Sequence, residues 1–362
     1  MTDTSIDTKY MQECLRLAEK GRGKAEPNPL VGCIIVKNGK MIGRGYHKKY
    51  GSHHAEVNAI NNALKNGNNL KGSTLYVNLE PCNHTGKTPP CTDLIIKHGI
   101  KNVVIGMKDL NPDVKGNGFR RLKREGITVK AGVLEEECTS LNKKFIVNVT
   151  QKRPYITLKM AQSIDGKIAL NNFKSQWITS IESRKLAHFL RSKNDCIFAG
   201  KNTVIHDNPE LTVRYGNSSN SPVRIVTDKD LKLSDKYKVM QNSPPLTLVY
   251  HSSEKKVTDE EFVKYIKLKS FKGRMRIRDI VKDLFQKGFT SLLIEGGADL
   301  YSQFISADLF DEIHVFIAPK ILGEGISAFK DFKIDRIAKA KEVFLSEIKI
   351  LNKDLLLIYK NI

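Results

Sequence analysis

The sequence predicts an α/β protein built from two domains. Its 362 residues are more than one typical domain needs, and 40% of them are hydrophobic, which is enough to fill two cores. Predicted strands alternate with predicted helices along both halves, and this alternation is typical of layered α/β units. The Lys152-Arg-Pro154 junction separates the two runs of elements. We therefore expect one domain over residues 1–148 and a second over residues 149–362.

The first domain opens with a helix and a hairpin. The predicted helix over residues 10–21 has one apolar face and ends at a glycine. Strands over 31–36 and 41–46 flank Asn38-Gly39, a strong hairpin signal. The remaining predicted elements are a helix over 54–64, a strand over 75–79, a helix from Cys91, a strand over 103–107, a helix over 119–124, a strand over 127–130 and a helix over 134–143. This order predicts a three-layer α/β domain.

The second domain continues the alternation without an internal sequence repeat. Thr179-Ser-Ile-Glu182 fits a capping box before a helix over residues 180–193. Apolar strands are predicted over 155–160, 196–200, 223–227, 246–250, 291–294 and 313–318, with helices over 277–287 and 298–306. The Gly296-Gly297 pair is not a G-x-G-x-x-G fingerprint, so the pattern does not support a Rossmann fold.

Composition and charge narrow the class of protein. The residue usage excludes disorder and low-complexity sequence. A net charge of +21 is spread over both halves and favours anionic partners, either nucleic acid or small phosphorylated ligands; a Lys- and Asn-rich coding bias explains it equally well. The sequence has no run of 18 apolar residues, and its first residues are polar. We expect a cytoplasmic protein without a membrane partner.

The strongest chemical signal is His54-Ala-Glu56 followed by Pro81-Cys82 and Pro90-Cys91. Catalytic zinc commonly takes three His and Cys ligands and leaves one position open. Zinc deaminases combine His-x-Glu with a downstream Pro-Cys and a further Cys, and the Glu moves protons. We predict that His54, Cys82 and Cys91 bind zinc and that Glu56 is catalytic. A structural zinc, or unrelated buried side chains, is the alternative.

These residues resemble the cytidine-deaminase superfamily, with one departure. Eight residues separate Cys82 from Cys91, whereas nucleoside and nucleic-acid deaminases usually place two between their cysteines. The stretch Pro81-Cys-Asn-His-Thr-Gly-Lys-Thr-Pro-Pro-Cys91 looks like the bifunctional riboflavin-biosynthesis deaminase-reductases. Matches at Pro27-Asn-Pro-Leu-Val-Gly32, Gly45-Tyr-His47 and Asp109-Leu-Asn-Pro112 extend the resemblance, which covers essentially the whole chain.

The resemblance implies a cytidine-deaminase-like first domain that hydrolyses the 2-amino group of a diaminopyrimidinone carrying a ribosylamino 5-phosphate. Carried over to matching positions, it implies substrate contacts from Asn28, His47, His84, Lys87, Asp109 and Asn111. Asparagine and aspartate can read a heterocycle edge, and lysine and imidazole can meet phosphate or ribose oxygens. A turn asparagine or a solvated lysine is the alternative for any one of them. The position usually written Asp-Pro-Asn-Pro reads Asp109-Leu-Asn-Pro here.

For the second domain the resemblance implies a fold similar to dihydrofolate reductase with NADPH as cofactor. The implied cofactor contacts are Ala161, Trp177, Thr203, Asp207, Gly297, Ala298, Asp299, Leu300, Tyr301, Ser302 and Gln303, and the implied substrate contacts are Ser175, Arg191, Leu211, Arg214 and Glu295. Arg191 and Arg214 suit a phosphate, because guanidinium binds phosphate oxygens bidentately. Lys159 and Asp207 are the titratable candidates near the reacting sugar, with neither assigned as general acid.

The implied function is a two-step enzyme that deaminates a small phosphorylated pyrimidine and then reduces its ribosyl group to ribityl, using Zn²⁺ and NADPH. A homo-oligomer, dimer or tetramer, is expected, with no nucleic-acid partner. Two other classes compete. A nucleic-acid-editing deaminase fits the basic charge, but the long insertion between Cys82 and Cys91 argues against it. A zinc-stabilised binding protein is disfavoured by Glu56.

Overall fold

The chain forms two compact units, Met1–Lys152 and Arg153–Ile362. The computed structural model describes residues 3–84, 89–112, 116–215, 221–271, 273–330 and 333–362. The division falls four residues beyond the expected boundary, because the last helix of the first unit runs on to Gln151. Within these described ranges, no helix is both long and apolar enough to cross a lipid bilayer.

The first unit contains these helices and strands in chain order: α1 (Asp3–Ala18), β1 (Gly32–Lys37), β2 (Lys40–Tyr46), α2 (Ala55–Lys65), β3 (Thr74–Leu79), α3 (Cys91–Lys97), β4 (Asn102–Met107), α4 (Asn117–Arg124), β5 (Thr128–Ala131), α5 (Glu135–Leu141) and α6 (Lys143–Gln151). Within the described part of this unit, the strands form a five-stranded sheet in the order β2-β1-β3-β4-β5. The β1–β2 and β1–β3 pairs are antiparallel, whereas β3, β4 and β5 are parallel.

Two apolar clusters make this unit a three-layer structure. On one face of the sheet, side chains of β1, β3 and β4 pack against α2, α3 and α4. On the other face, Ile34, Tyr76 and Val104 pack against α1 and α5. Adjacent residues of a strand point to opposite faces, so one buried strand such as β1 serves both cores. The predicted α/β fold class is confirmed.

The second unit contains these elements in chain order: β6 (Tyr155–Ser163), β7 (Lys167–Leu170), α7 (Ile181–Ser192), β8 (Cys196–Gly200), α8 (Lys201–Asp207), β9 (Val223–Thr227), β10 (Thr247–His251), β11 (Val263–Lys267), β12 (Ser270–Phe271), β13 (Arg274–Met275), α9 (Ile277–Gln286), β14 (Ser291–Ile294), α10 (Ala298–Ser306), β15 (Glu312–Ala318), β16 (Gly325–Ser327), β17 (Val343–Leu351) and β18 (Asp354–Asn361). Counting described residues only, its main sheet has nine strands in the order β11-β10-β9-β8-β14-β6-β15-β18-β17.

The main sheet of the second unit is parallel from β11 to β15, and the last two strands are antiparallel. Helices α9 and α10 pack on one face, and α7 and α8 pack on the other. The carboxyl ends of β8, β9, β14 and β6 therefore meet at one edge of the sheet. Open parallel sheets bind ligands at this edge.

Some local features differ from the predictions or were not predicted. Helix α1 begins at Asp3 rather than at residue 10. The residue that caps α7 is Ser180, whose hydroxyl accepts the Ser183 N–H, so the predicted cap at Thr179 is one residue too early. The β17–β18 hairpin had no predicted counterpart, although its strands are long and largely apolar.

Candidate functional site

The three predicted metal ligands lie at the ends of three elements of the first unit. His54 is the residue that precedes α2, so it lies just before the first turn in which it was expected. Cys82 follows β3 by three residues, and Cys91 is the first residue of α3. The Thr92 N–H donates to the Cys82 carbonyl at 3.3 Å, which holds the segment carrying Cys82 against the start of α3.

The ligand atoms of this cluster are close enough for a metal ion. His54 Nδ1 lies 3.5 Å from Cys82 Sγ and 3.3 Å from Cys91 Sγ, and all three atoms lie within 4.8 Å of one another. Zinc bonds of about 2.0 Å to nitrogen and 2.3 Å to sulfur in a tetrahedron would separate N and S by ~3.5 Å. The donor set and its spacing therefore fit zinc.

The surroundings of Cys82 favour its thiolate. The hydrogen bond from the Cys91 thiol, followed by the contact with His54, lowers the pKa of Cys82 to about 4. The same thiol hydrogen bond between Cys91 and Cys82 raises the pKa of Cys91. The Cys91 N–H also points at Cys82 Sγ, at 3.4 Å. A cation at this place would meet a sulfur that is already anionic.

Glu56 lies in the first turn of α2 and is only 4% exposed. Burial, together with the charge of Cys82, raises the pKa of its carboxyl to about 7. A carboxyl group that titrates near neutrality can both accept and release a proton at physiological pH. Glu56 thus has the property expected of a proton shuttle beside the metal cluster.

Asn28 and His47 form one hydrogen-bonded pair near this cluster. The Asn28 amide donates to His47 Nε2 at 3.0 Å, and His47 Nδ1 lies 3.1 Å from the His53 carbonyl oxygen. Since a carbonyl only accepts, Nδ1 carries the proton and Nε2 is the acceptor. Burial lowers the pKa of His47, in agreement with a neutral ring. The ring of His47 lies edge-on to His54, with 5.7 Å between ring centroids.

Two buried asparagines, absent from the predicted site, fix the segment that follows Asn28. Asn78 on β3 donates to the Leu30 carbonyl and accepts the Gly32 N–H. Asn142, between α5 and α6, accepts the Leu30 N–H at 2.8 Å and donates to the same carbonyl. Neither residue stands in a motif, and only their burial in the fold identifies them.

The remaining predicted residues of the first unit lie after β3 and β4. Asp109 is 7% exposed and accepts the Asn111 N–H at 2.8 Å. Burial is the main cause that raises the pKa of Asp109 to about 6, and the carboxylate of Glu80 adds to it. His84 is exposed, and Lys87 lies outside the described residues.

A cavity of about 1010 Å³ opens at the carboxyl ends of β6, β8, β9 and β14 in the second unit. The predicted residues that line it are Ala161, Ser175, Trp177, Arg191, Thr203, Asp207, Leu211, Arg214, Glu295, Gly297, Ala298, Asp299, Leu300, Tyr301 and Gln303. Ser302 is the exception: it does not line the cavity, and its hydroxyl accepts the N–H of Lys330, a lining residue, at 2.8 Å.

A buried ionic cluster lies in the wall of this cavity. Arg191 donates two hydrogen bonds of 2.8 Å to the Glu295 carboxylate, and Lys159 Nζ lies 3.6 Å from the same group. Burial alone would raise the pKa of Glu295, but the two cations outweigh it and lower the pKa to about 2. Burial lowers the pKa of Lys159 despite Glu295.

Arg214 is placed differently from Arg191. Its side chain is 44% exposed and forms an ion pair with Glu210 at 3.0 Å. The backbone N–H of Arg214 donates to His188 Nδ1. Burial lowers the pKa of His188 to about 4, so this ring is a neutral acceptor. Arg191 is committed to internal partners, including the Thr212 carbonyl, whereas Arg214 presents a guanidinium to the cavity.

Three side-chain contacts hold residues 173–177, which precede α7 and contribute to the lining of the cavity. Phe173 stacks on His206 with 3.9 Å between ring centroids, and the Ser175 hydroxyl donates to Asp207 at 2.9 Å. Trp177 is 58% exposed, and the Arg184 guanidinium covers its ring at 4.1 Å. The only tryptophan of the sequence therefore lies at the cavity surface and not in a core.

Comparison with known proteins identifies the family. Residues 154–355 match the family model described as RibD C-terminal domain, and residues 4–107 match the cytidine and deoxycytidylate deaminase zinc-binding region. The riboflavin biosynthesis protein RibD of Aquifex aeolicus is 44% identical over 355 residues, which cover 98% of each chain. The chain belongs to the RibD family.

Other RibD proteins match over nearly the same length. The RibD of Escherichia coli K12 is 36% identical over 97% of this chain and 98% of its own. A crystal structure from Thermotoga maritima, described as a diaminohydroxyphosphoribosylaminopyrimidine deaminase/5-amino-6-(5-phosphoribosylamino)uracil reductase, has 36% identity and a TM-score of 0.87, with 99% of both chains covered. Acinetobacter baumannii RibD has 32% identity and a TM-score of 0.84.

RibD membership accounts for both cofactors. Zinc belongs to the deaminase half and NADPH to the reductase half. In the reductase half, α10 begins after Gly297, which offers no side-chain cap, so the helix start can receive a phosphate. A side chain at Gly297 would project toward Thr203, 3.6 Å from its hydroxyl, at the lining of the cavity. The cavity and this helix start fit NADPH.

Proposed function

We propose that the chain catalyses two consecutive steps of riboflavin biosynthesis. The first is hydrolytic deamination of 2,5-diamino-6-ribosylamino-pyrimidinone 5-phosphate, and the second is NADPH-dependent reduction of the ribosyl group to ribityl. The observation that carries this proposal is the joint presence, in one RibD chain, of a His–Cys–Cys cluster beside a buried glutamate and of a separate cavity lined by the predicted reductase residues.

In the deamination step, we assign the metal to His54, Cys82 and Cys91 and proton transfer to Glu56. Zinc supplies Lewis-acid activation of water near neutral pH. Glu56 takes a proton from the attacking water and delivers it toward the ring and the departing amine. Water supplies the oxygen, the C–N bond breaks, and ammonia leaves.

Recognition of the pyrimidine is assigned to side chains around this cluster. Asn28 and His47 form the pair described above, and Asp109 and Asn111 lie after β4. We include the exposed His84 and, from the family resemblance, Lys87, as cationic or polar partners of the ribose phosphate. These side chains offer donors and acceptors to the ring and charge to the phosphate.

In the reduction step, the chain orients a sugar against NADPH, which supplies the hydride. We assign the cofactor to Ala161, Trp177, Thr203 and Asp207 and to residues 297–303, except that Ser302 does not line the cavity. Ser175, Leu211 and Arg214 are assigned to the substrate, with Arg214 as the cation for its phosphate. Arg191 and Glu295, which are joined by an ion pair, form part of the cavity wall. The accompanying proton comes from Lys159 or Asp207, which remain alternatives.

We assign deamination to residues 1–148 and reduction to residues 149–362. The division of the chain into compact units after Lys152 supports this assignment. None of the six cysteines, all in the described ranges, forms a disulfide, which supports a cytoplasmic location, because reducing compartments keep cysteines unpaired.

We also propose that two or four copies of the chain associate through β17. This strand is the edge of the nine-stranded sheet, and Phe344, Ile348 and Ile350 on it are 61%, 59% and 77% exposed. Exposed apolar edge strands are pairing sites. An Ile350→Lys variant should sediment as a smaller species than wild type. Equal sedimentation of the two proteins, both larger than a monomer, would place the interface elsewhere.

The function is tested by supplying the aminopyrimidine ribosyl phosphate to the purified protein. Ammonia release should precede NADPH oxidation, and single-stranded RNA should yield no ammonia. Ammonia from RNA alone would favour a nucleic-acid deaminase. Zinc binding without either activity would favour a binding protein.

A further inference from the structure

We propose that Glu80 is a positioning residue of the deaminase site. It holds the substrate-binding segment after β4, which carries Asp109 and Asn111, against the metal-binding segment after β3, which carries Cys82. The inference rests on the proposed function, because Asp109 and Asn111 are assigned there to the pyrimidine. In the described part of the chain, the carboxylate of Glu80 accepts hydrogen bonds from backbone N–H groups, one of them that of Asp109.

The contacts of the Glu80 carboxylate join two stretches of chain. Its Oε2 atom accepts the N–H of Asp109 at 3.1 Å and the N–H of Gly116 at 3.2 Å. Its Oε1 atom accepts the N–H of Phe119 at 2.9 Å. Asp109 follows β4, whereas Gly116 and Phe119 lie at the start of α4. One carboxylate therefore fixes the exit from β4 and the entry into α4.

Burial makes these bonds consequential. Glu80 is 3% exposed, so water cannot take the place of its carboxylate as the acceptor for the three N–H groups. The start of α4 has no side-chain cap from its own capping residue, Gly116. Glu80, which follows β3, supplies that cap from a distant segment, and its negative charge is favourable at a helix start.

A second observation ties the same helix start to the metal-binding segment. A Cβ at Gly118 would lie 1.9 Å from the Pro81 carbonyl oxygen, so the backbone of α4 is in direct contact with the residue between Glu80 and Cys82. The Glu80 N–H also donates to the Met107 carbonyl at the end of β4. Glu80 thus lies where the segment of Cys82, after β3, meets the segment of Asp109, after β4.

This arrangement predicts a specific kinetic defect. Removing the carboxylate frees the segment of Asp109 and Asn111 but leaves the side chains of His54, Cys82 and Cys91 in place. Substrate binding should weaken while the chemical step is kept. Hydrogen bonds to a charged acceptor of this kind change an equilibrium by roughly tenfold to a hundredfold.

The test uses the isosteric Glu80→Gln variant of the full chain. We expect KM for the deaminase substrate to rise by roughly tenfold or more, with kcat changed far less, zinc stoichiometry kept, and amide hydrogen exchange accelerated at Asp109, Gly116 and Phe119. In an Asp109→Ala background, the same change should raise KM much less, because the two residues act through one segment. Should Glu80→Gln not fold, Glu80→Asp, which keeps the charge but is one methylene shorter, is judged by the same readings.

The matched control is Asp354→Asn. Asp354 is a buried carboxylate that accepts the Ser180 N–H and the Ser183 hydroxyl at the start of α7 in the other unit, so deaminase KM should stay unchanged. An unaltered KM in the Glu80 variant, or joint loss of zinc and kcat, would overturn the positioning role. If wild type itself releases no ammonia, the proposed function fails, and hydrogen exchange still decides whether Glu80 holds the segment.

Discussion

At the scale of single residues, the decisive prediction concerns Glu56. Glu56→Gln keeps the size of the side chain but removes its ability to carry a proton between water and the amine. Deamination should fall by about 10²–10⁴-fold, while zinc stoichiometry and NADPH-dependent reduction stay at wild-type values. Ammonia release, bound metal and NADPH absorbance measure the three quantities. Near-full deamination by the variant would exclude the proton-shuttle role.

Asp109 provides a pH-dependent prediction. Its pKa of about 6 means that the carboxylate is charged above pH 6 and neutral below it. If ionised Asp109 binds the pyrimidine, KM for deamination should rise as the pH falls through 6. Asp109→Asn should have a high KM that no longer changes across this range. A variant that keeps the wild-type pH profile of KM would assign this titration to another group.

The Glu295 cluster predicts a large effect on stability. Glu295→Gln leaves two buried cations, Arg191 and Lys159, without their counter-charge, and we expect the free energy of unfolding to fall by about 3–5 kcal/mol. The folded pKa of Glu295 is depressed to about 2, so its contribution is present above pH 4.5 and is lost as the pH falls toward 2.

Glu210→Gln is the matched control for this change. Glu210 pairs with Arg214 and Lys238 but is 38% exposed, so its loss should cost no more than about 1 kcal/mol. Urea unfolding of both variants at pH 7 measures the difference. Equal costs for the two would show that the Glu295 cluster is not a stabilising unit.

How far the sequence predicts a site residue depends on what the residue contacts. His54, Glu56, Cys82 and Cys91 belong to a pattern, His-x-Glu followed by two Pro-Cys pairs, whose residue types zinc chemistry requires, so the sequence alone predicts them. Glu80, Asn78 and Asn142 act through backbone groups of distant segments. Nothing in local sequence identifies such partners, since any N–H can be the donor.

At the scale of elements, the packing of α2 on β2 gives a further prediction. A Cβ at Gly45 would lie 2.4 Å from the Ala59 nitrogen and 2.5 Å from the Ala55 carbonyl oxygen, so helix and strand touch through their backbones. Gly45→Ala should displace α2, which carries Glu56 and follows His54. We expect reduced zinc occupancy and a lower Tm. Lys40→Ala, an exposed change on the same strand, should alter neither, and equal behaviour of both variants would contradict the close packing.

The sequence predicts helices and strands correctly where the spacing of apolar residues and the residues typical of turns indicate the same element. The hairpin around Asn38-Gly39 is present, as is the strand that ends before Glu295. Prediction from the sequence is wrong or incomplete where an element depends on contacts with residues far away in the sequence. The β17 strand exposes most of its apolar side chains, so its apolar residues do not mark a buried face, which is the signal that usually identifies a strand. The cap of α7 depends on Asp354, which bonds Ser180 from β18.

At the scale of the whole molecule, the two activities should respond separately to metal removal. The His–Cys–Cys cluster lies in the first compact unit and the large cavity in the second. A zinc chelator should abolish ammonia release and leave reduction of the supplied deaminated intermediate intact. Added zinc should restore the first activity. Equal loss of both activities would contradict separate sites.

The two hydrogen bonds between Asn142 and Leu30 also bear on the order in which the first unit folds during synthesis. The two residues are 112 positions apart, and contacts between distant positions form late because loop closure is costly. Only the two hydrogen bonds from Asn142 therefore wait for the end of the first unit to leave the ribosome, since Asn78, which also bonds Leu30, emerges earlier. The cluster residues His54, Cys82 and Cys91 emerge earlier as well. All three residues of the His–Cys–Cys cluster have been made once Cys91 is added. The hydrogen bonds from Asn142 to Leu30 come later, after α5 has been made.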